Sequence, residues 1–137
     1  MSGEGAYLHG GRWNSPGKRV VYMSETLSLA AYELLVHVPF AVLRPYKRIE
    51  VQIPESSLMR LDDSELPWDW SEVGNPDLVA IGDAWIERGE SLGLSVPSVL
   101  IPGERNVMLR PDHPDFSQVV FGEILAFYYD PRLTGLS

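Results

Sequence analysis

Residues 20–39 read VVYMSETLSLAAYELLVHVP and pass from a strand pattern to a helix pattern without a linker. Val20 to Met23 is a short run of residues that favour extended backbone. Ser24 and Thr26 are both suited to cap a helix, which the spacing predicts to run to about Val38 and to stop at Pro39. Leu27, Ala30, Ala31, Leu34 and Val38 recur at helical spacing, so that face is expected to meet the core.

The flanking segments place this strand–helix unit in a larger sheet. Upstream, GAYLHGGRWNSPGKR (5–19) is rich in Gly and turn formers and reads as a loop that brings backbone close to something. Downstream, Arg48 to Ile53 alternates, with Ile49, Val51 and Ile53 on one side, as in a half-buried strand ended by Pro54. Residues 54–76 read as a long loop that Trp68 and Trp70 pack down. Asn75-Pro76-Asp77 then opens a helix, with Asn as cap, Pro in the first position and Asp in the first turn. Leu78, Ile81, Trp85 and Val79 would form its buried stripe, with Gly93 as its stop. Ser95 to Ile101 and Asn106 to Leu109 suit a hairpin around Pro102-Gly103-Glu104-Arg105, and Val119 to Tyr129 suits one or two closing strands. The expected fold is α+β: a single compact domain over residues 1–137 with a mixed or mostly antiparallel sheet.

Composition narrows the chemistry. The 137 residues are 45% hydrophobic and include four Trp and no Cys. That is enough apolar surface for a core of its own, and it excludes thiolate nucleophiles, iron–sulfur clusters and Cys-bound zinc. Three scattered His offer little to a metal, so no metal is expected. No apolar run approaches the roughly 20 residues of a membrane span, and MSGEGAYLHGGRWN lacks a signal-peptide pattern, so a soluble, cytoplasmic protein is expected. The net charge of −8 argues against direct contact with nucleic acid, which needs clustered Lys and Arg. The charge is unevenly spread. Residues 1–60 carry seven Lys/Arg and five Asp/Glu, whereas residues 61–137 carry four and fourteen. The run from Asp62 to Glu90 is either a solvated acidic face or a docking face for a basic partner.

Four polar residues stand out once core positions are removed. Arg12, in Gly-Gly-Arg-Trp-Asn, can offer a bidentate fork to a phosphate or carboxylate, or can tie the loop to a neighbouring acid. Tyr22 is either core or a ring on which a base can stack. Glu33 interrupts an apolar helical run, where a carboxylate must be paired, protonated or lodged in a pocket. His37 lies one turn on, at an ordinary i,i+4 spacing that is too weak a signal for a metal site. Ser98, between Pro97 and Val99, is a core hydroxyl or a ligand contact; no GxSxG elbow surrounds it. The GxGxxG and GxxxxGK[ST] phosphate loops are both missing.

These residues fall inside an ordered set of motifs. Ser2-Gly3-Glu4-Gly5-Ala6, Gly10-Gly11-Arg12-Trp13-Asn14-Ser15-Pro16-Gly17, Val21-Tyr22-Met23-Ser24-Glu25 and Leu29 to His37 come first. Ile81 to Trp85, Leu94 to Ser98, Glu104 to Leu109, His113 to Phe116 and Tyr129 to Leu133 follow. Together they resemble the RES domain family, named for its Arg, Glu and Ser, over nearly the whole chain. The resemblance implies the toxin half of a bacterial type II toxin–antitoxin system, a fold similar to ADP-ribosyltransferase toxins, and loss of NAD+ by hydrolysis or phosphorolysis of the nicotinamide–ribose bond. NAD+ is then a substrate, and no cofactor is expected. Arg12, Glu33 and Ser98 match the family's catalytic Arg, Glu and Ser, and Tyr22 its strand tyrosine. Arg12, Tyr22 and Ser98 are the expected binding contacts. The implied partner is an Xre-like helix-turn-helix antitoxin, with a toxin homodimer inside the hetero-oligomer. Two departures are visible: Arg110 stands where many members have Asn, and the segment that members carry ahead of the motif at Ser2 is not expected within these residues. The alternatives are ADP-ribosyl transfer to a macromolecule and a non-catalytic antitoxin-binding module.

Overall fold

The structure is a computed structural model that describes residues 2–38 and 40–134. Among the described residues three helices, α1 (Glu4–His9), α2 (Leu27–His37) and α3 (Pro76–Arg88), accompany six strands: β1 (Val21–Ser24), β2 (Tyr46–Gln52), β3 (Leu58–Arg60), β4 (Gly93–Pro97), β5 (Arg105–Leu109) and β6 (Val120–Phe127). Four strands form one mixed sheet in the order β1-β5-β4-β3, with β3 parallel to β4 and the other pairs antiparallel. β2 and β6 pair separately as an antiparallel ribbon with a register irregularity between Ile49 and Val51.

The expected α+β architecture is present, and the local signals account for much of it. Asn75 caps α3 by accepting from the Asp77 N–H, Pro76 takes the first helical position, and Leu78 and Trp85 are fully buried. The helix ends earlier than expected. Gly89, at φ 66°, supplies the left-handed residue that closes it, and Gly93 begins β4 instead. Thr26 caps α2 through the Leu29 N–H. The expected stop at Pro39 lies outside the described residues.

Four further expectations are corrected. The Gly-rich start is not all loop, since Glu4–His9 forms one and a half turns of helix. Residues 54–76 contain β3, a strand of three residues that is too short to show periodicity and is held by its parallel partner β4. Trp70 packs against the core as expected, but Trp68 stands 92% exposed. The proposed core face of α2 is also corrected: Leu29 is the one fully buried residue of that helix, and Leu27 is exposed.

The sheet carries an apolar cluster on each face. Trp13, Val20, Leu78, Trp85, Leu94 and Met108 fill the side covered by α3. Leu92, Leu109 and Val119 fill the other side, with Val21, Met23 and Val51 packed against them. Side chains alternate along each strand, so Val20, Tyr22 and Ser24 all face the α3 side.

Candidate functional site

Register gathers the site at one end of the α3 face. Tyr22 pairs with Met108, and Ser24 with Asn106, so the two β1 side chains sit side by side with residues of β5 on one face. Met108 is apolar and buried, but the next row is polar. Ser24 Oγ donates to Asn106 Oδ1 at 2.7 Å, and Asn106 Nδ2 donates to Glu33 Oε1 at 2.8 Å. Ser98 Oγ lies 3.3 Å from the same carboxylate oxygen. The Ser98 hydroxyl is itself held by the backbone N–H groups of Leu100 and Ile101, at 3.1 and 3.2 Å. Glu33 therefore has one oxygen fixed by two side chains, and Oε2 has no partner among the described residues. This answers the sequence question about a carboxylate in an apolar helix: it is paired, through neutral donors. His37 is exposed and makes no bond to Glu33.

A second group forms around Arg12. The loop Gly11–Asn14 closes on itself through the Gly11 N–H and the Asn14 carbonyl at 2.9 Å. Asn14, 1% exposed, donates to the carbonyls of Ala6, Ser15 and Lys18 and accepts from the Tyr22 hydroxyl. That hydroxyl also accepts from the Trp13 N–H at 3.3 Å. Tyr22 thus keeps its hydroxyl inside the loop while 40% of the residue remains open. Burial of the hydroxyl pushes its pKa well above the ordinary tyrosine value, against the lowering effect of the Trp13 N–H. The loop is bound to α3 by Asp83, which accepts from the Ser15 N–H at 3.0 Å and the Ser15 hydroxyl at 2.6 Å, and by the Lys18–Glu87 ion pair at 2.7 Å. Two members of the acidic run are consequently engaged within the molecule. Gly82 allows the contact: a β-carbon there would strike the Trp13 carbonyl, whose carbon lies 2.7 Å away.

Arg12 Nη1 is enclosed and without a hydrogen-bond partner. A guanidinium N–H in that state is a donor aimed at a group the protein does not supply. Glu33 and Ser98 are thus brought into contact, and Tyr22 bonds the loop that carries Arg12 at Trp13 and Asn14 without touching the Arg12 side chain. Tyr22 and Ser24, which anchor the two groups, share one face of β1. A cavity of about 580 Å3 opens at the β1 edge toward the opposite face, lined by Tyr22 and Ser24 together with Met23, Val51, Ala31 and Tyr129 among others. Arg12, Glu33 and Ser98 do not line it. Ser98 instead lines a smaller cavity of about 400 Å3 with Trp68, Trp70, Pro97 and Pro102. Among the described residues no cluster of His, Cys, Asp and Glu could hold a metal.

Sequence reasoning missed Asn14, Asn106 and Asp83 as parts of the site. Asn14 looks like an ordinary turn residue, and Asn106 sits in an apolar strand run. Their importance arises from bonds to residues distant in sequence, such as the 73-residue separation between Asn106 and Glu33.

Comparison with known proteins agrees with the fold and the motifs. A family model described as the RES domain matches residues 1–130. "Toxin Res" of Yersinia enterocolitica is 37% identical over 135 residues, covering 96% of this chain and 89% of that protein. "Toxin Res" of Photorhabdus laumondii is 40% identical over 121 residues, covering 87% and 78%. "Prs ADP-ribosylating toxin" of a Sphingobium species is 33% identical over 140 residues, covering 97% and 86%. The fold is similar to a chain in the crystal structure of the M. tuberculosis MbcT–MbcA toxin–antitoxin complex, with a TM-score of 0.78 at 18% identity, covering 93% of this chain and 77% of that one. The motifs that run in order from Ser2 to Leu133 are those of a family, and the chain belongs to the RES domain family.

Proposed function

We propose that this protein is the toxin of a toxin–antitoxin pair and that it destroys NAD+ by cleaving the nicotinamide–ribose bond. The observation that carries the reading is Glu33: one carboxylate oxygen is clamped by Asn106 and Ser98 and the other is unclaimed, while elsewhere in the site the Arg12 guanidinium has an enclosed, unsatisfied donor. Breaking the bond between ribose C1′ and the pyridinium nitrogen sends the bonding pair to nicotinamide and leaves an oxocarbenium-like sugar. Preorganised negative charge close to that carbon stabilises it without reorganisation. In this reading Glu33 supplies that charge and accepts a ribose hydroxyl, while Arg12 binds the pyrophosphate. The open face of Tyr22 packs on the nicotinamide ribose, and Ser98 positions the ligand. Water or phosphate forms the new C1′–O bond and gives up a proton to solvent or to Glu33. NAD+ enters as substrate, and no cofactor or metal takes part.

An Xre-like helix-turn-helix antitoxin is the proposed partner, binding a toxin homodimer in the cytoplasm. No helix among the described residues is long and apolar enough to cross a membrane. The test is NMR of NAD+ with the purified protein, with and without phosphate. Free nicotinamide is expected with ADP-ribose or its phosphorylated form, and Glu33→Gln and Arg12→Ala should each lose about two orders of magnitude in rate while remaining folded, as when a transition-state contact is removed. Unchanged turnover in either variant removes the role assigned to that residue. The Sphingobium relative's name favours one second reading, transfer of ADP-ribose to a macromolecule. Label from NAD+ found on protein or nucleic acid would select it.

A further inference from the structure

The smaller cavity meets the site only at Ser98, and its position follows from the sheet. Tyr22 pairs with Met108, and two residues on, Ser24 pairs with Asn106. On the β4 side Asn106 pairs with Val96, and two residues beyond it the Ser98 N–H donates to the Glu104 carbonyl at 2.9 Å. Each two-residue step advances about 6.6 Å. The Arg12 loop, the Glu33 clamp and Ser98 therefore follow one another along a single face, and the cavity opens at the Ser98 end, away from Arg12. Its volume of about 400 Å3 falls within the usual range for small-molecule sites, roughly 300–1,000 Å3.

The walls specify a ligand chemistry. Pro67, Pro97 and Pro102 give rigid apolar surfaces, and Trp70 is anchored in the core. Trp68, by contrast, is 92% exposed at the rim, whereas Trp13 and Trp85 are buried. Asp63 is the charged lining residue, and the buried Arg105 guanidinium pairs with it at 3.4 Å, so the wall carries little net charge and suits a neutral flat ring. We propose that this cavity is a stacking site for one of the two flat bases of the dinucleotide, with Trp68 as its platform and Ser98 at its floor. This rests on the dinucleotide reading. It adds a residue, Trp68, that selects the substrate by its ring.

The experiment follows the indole N–H resonances of 15N-labelled protein, with Trp68→Ala assigning the Trp68 signal, during separate titrations with nicotinamide and with adenosine. One base is expected to move the Trp68 signal saturably and leave those of Trp13 and Trp85 in place. Trp68→Ala should weaken that base about tenfold, the usual effect of losing one base-stacking contact, and Trp68→Phe should retain most of the affinity. Movement with nicotinamide assigns the cavity to the leaving base; movement with adenosine assigns it to the other and removes Glu33 from the nicotinamide ribose. If neither base moves the signal, or if Trp68→Ala binds as tightly as wild type, the proposal is overturned. The two readings fail separately: wild-type NAD+ breakdown with an unmoved Trp68 removes only the stacking site, and base binding without NAD+ breakdown removes only the reaction.

Discussion

Gly82→Ala sets two effects of opposite sign against each other at one position. Gly82 lies inside α3, where alanine is normally preferred by about 0.5–1 kcal/mol. Here the added methyl would meet the Trp13 carbonyl head on, with the carbonyl carbon at 2.7 Å and Trp13 Cβ at 3.1 Å. The obstacle is backbone and a buried indole, so neither can rotate aside, and overpacking of this kind costs about 1–3 kcal/mol. The balance is a loss of up to roughly 2.5 kcal/mol, or up to about 10 °C in melting temperature at this chain length. The loop that yields carries Arg12, so NAD+ breakdown should fall by more than stability does. Urea unfolding monitored by Trp fluorescence, beside NMR of NAD+, measures both. A variant that is more stable than wild type by the propensity difference and equally active would refute the argument that Gly82 exists to seat the Arg12 loop.

Two further outcomes follow from the hydrogen bonds of the site. Asn106→Asp places a carboxylate at hydrogen-bond distance from Glu33, where the pair holds one proton between them; activity should survive at low pH, where the introduced acid is protonated and donates as the amide does, and should fall as pH rises. Asn106→Leu should be poor at every pH, so parallel pH–rate profiles for the two variants would show that Asn106 does not orient the carboxylate. Tyr22 has a folded pKa above its unfolded value near 10, so above pH 10 the unfolded state binds one proton fewer and stability falls with pH, by at most about 1.4 kcal/mol per unit. The open ring face screens part of this. Tyr22→Phe should lessen that alkaline slope in urea melts at pH 9 to 11, and an unchanged slope would place the hydroxyl in water.

Local rules made α3, β1 and the β4–β5 hairpin legible, because each carries its own signal: an Asn-Pro-Asp start, a β-branched run, a Pro-Gly turn. They failed for β3, whose three residues are held by a parallel partner more than thirty positions later. They also failed for the face of α2, because the ribbon β2–β6 stands off and leaves an open cavity in place of a packed core. At the site, Arg12, Glu33 and Ser98 were conspicuous as residue types set among Gly or apolar neighbours. Asn14 and Asn106 were not, since an asparagine announces nothing until the carbonyls and carboxylate it binds are brought to it.

The pairing of β1 with β5 also sets when the site comes into being. Ser24 and Asn106 are 82 residues apart, and Glu33 meets Ser98 across 65. During synthesis the amino-terminal part emerges with Tyr22, Ser24 and Glu33 already made, but with nothing to hold them. The carboxylate is clamped only when Ser98 and Asn106 are both available. Such long-range closure makes sheet assembly slow, and the Glu33 clamp is therefore incomplete through most of the protein's own translation.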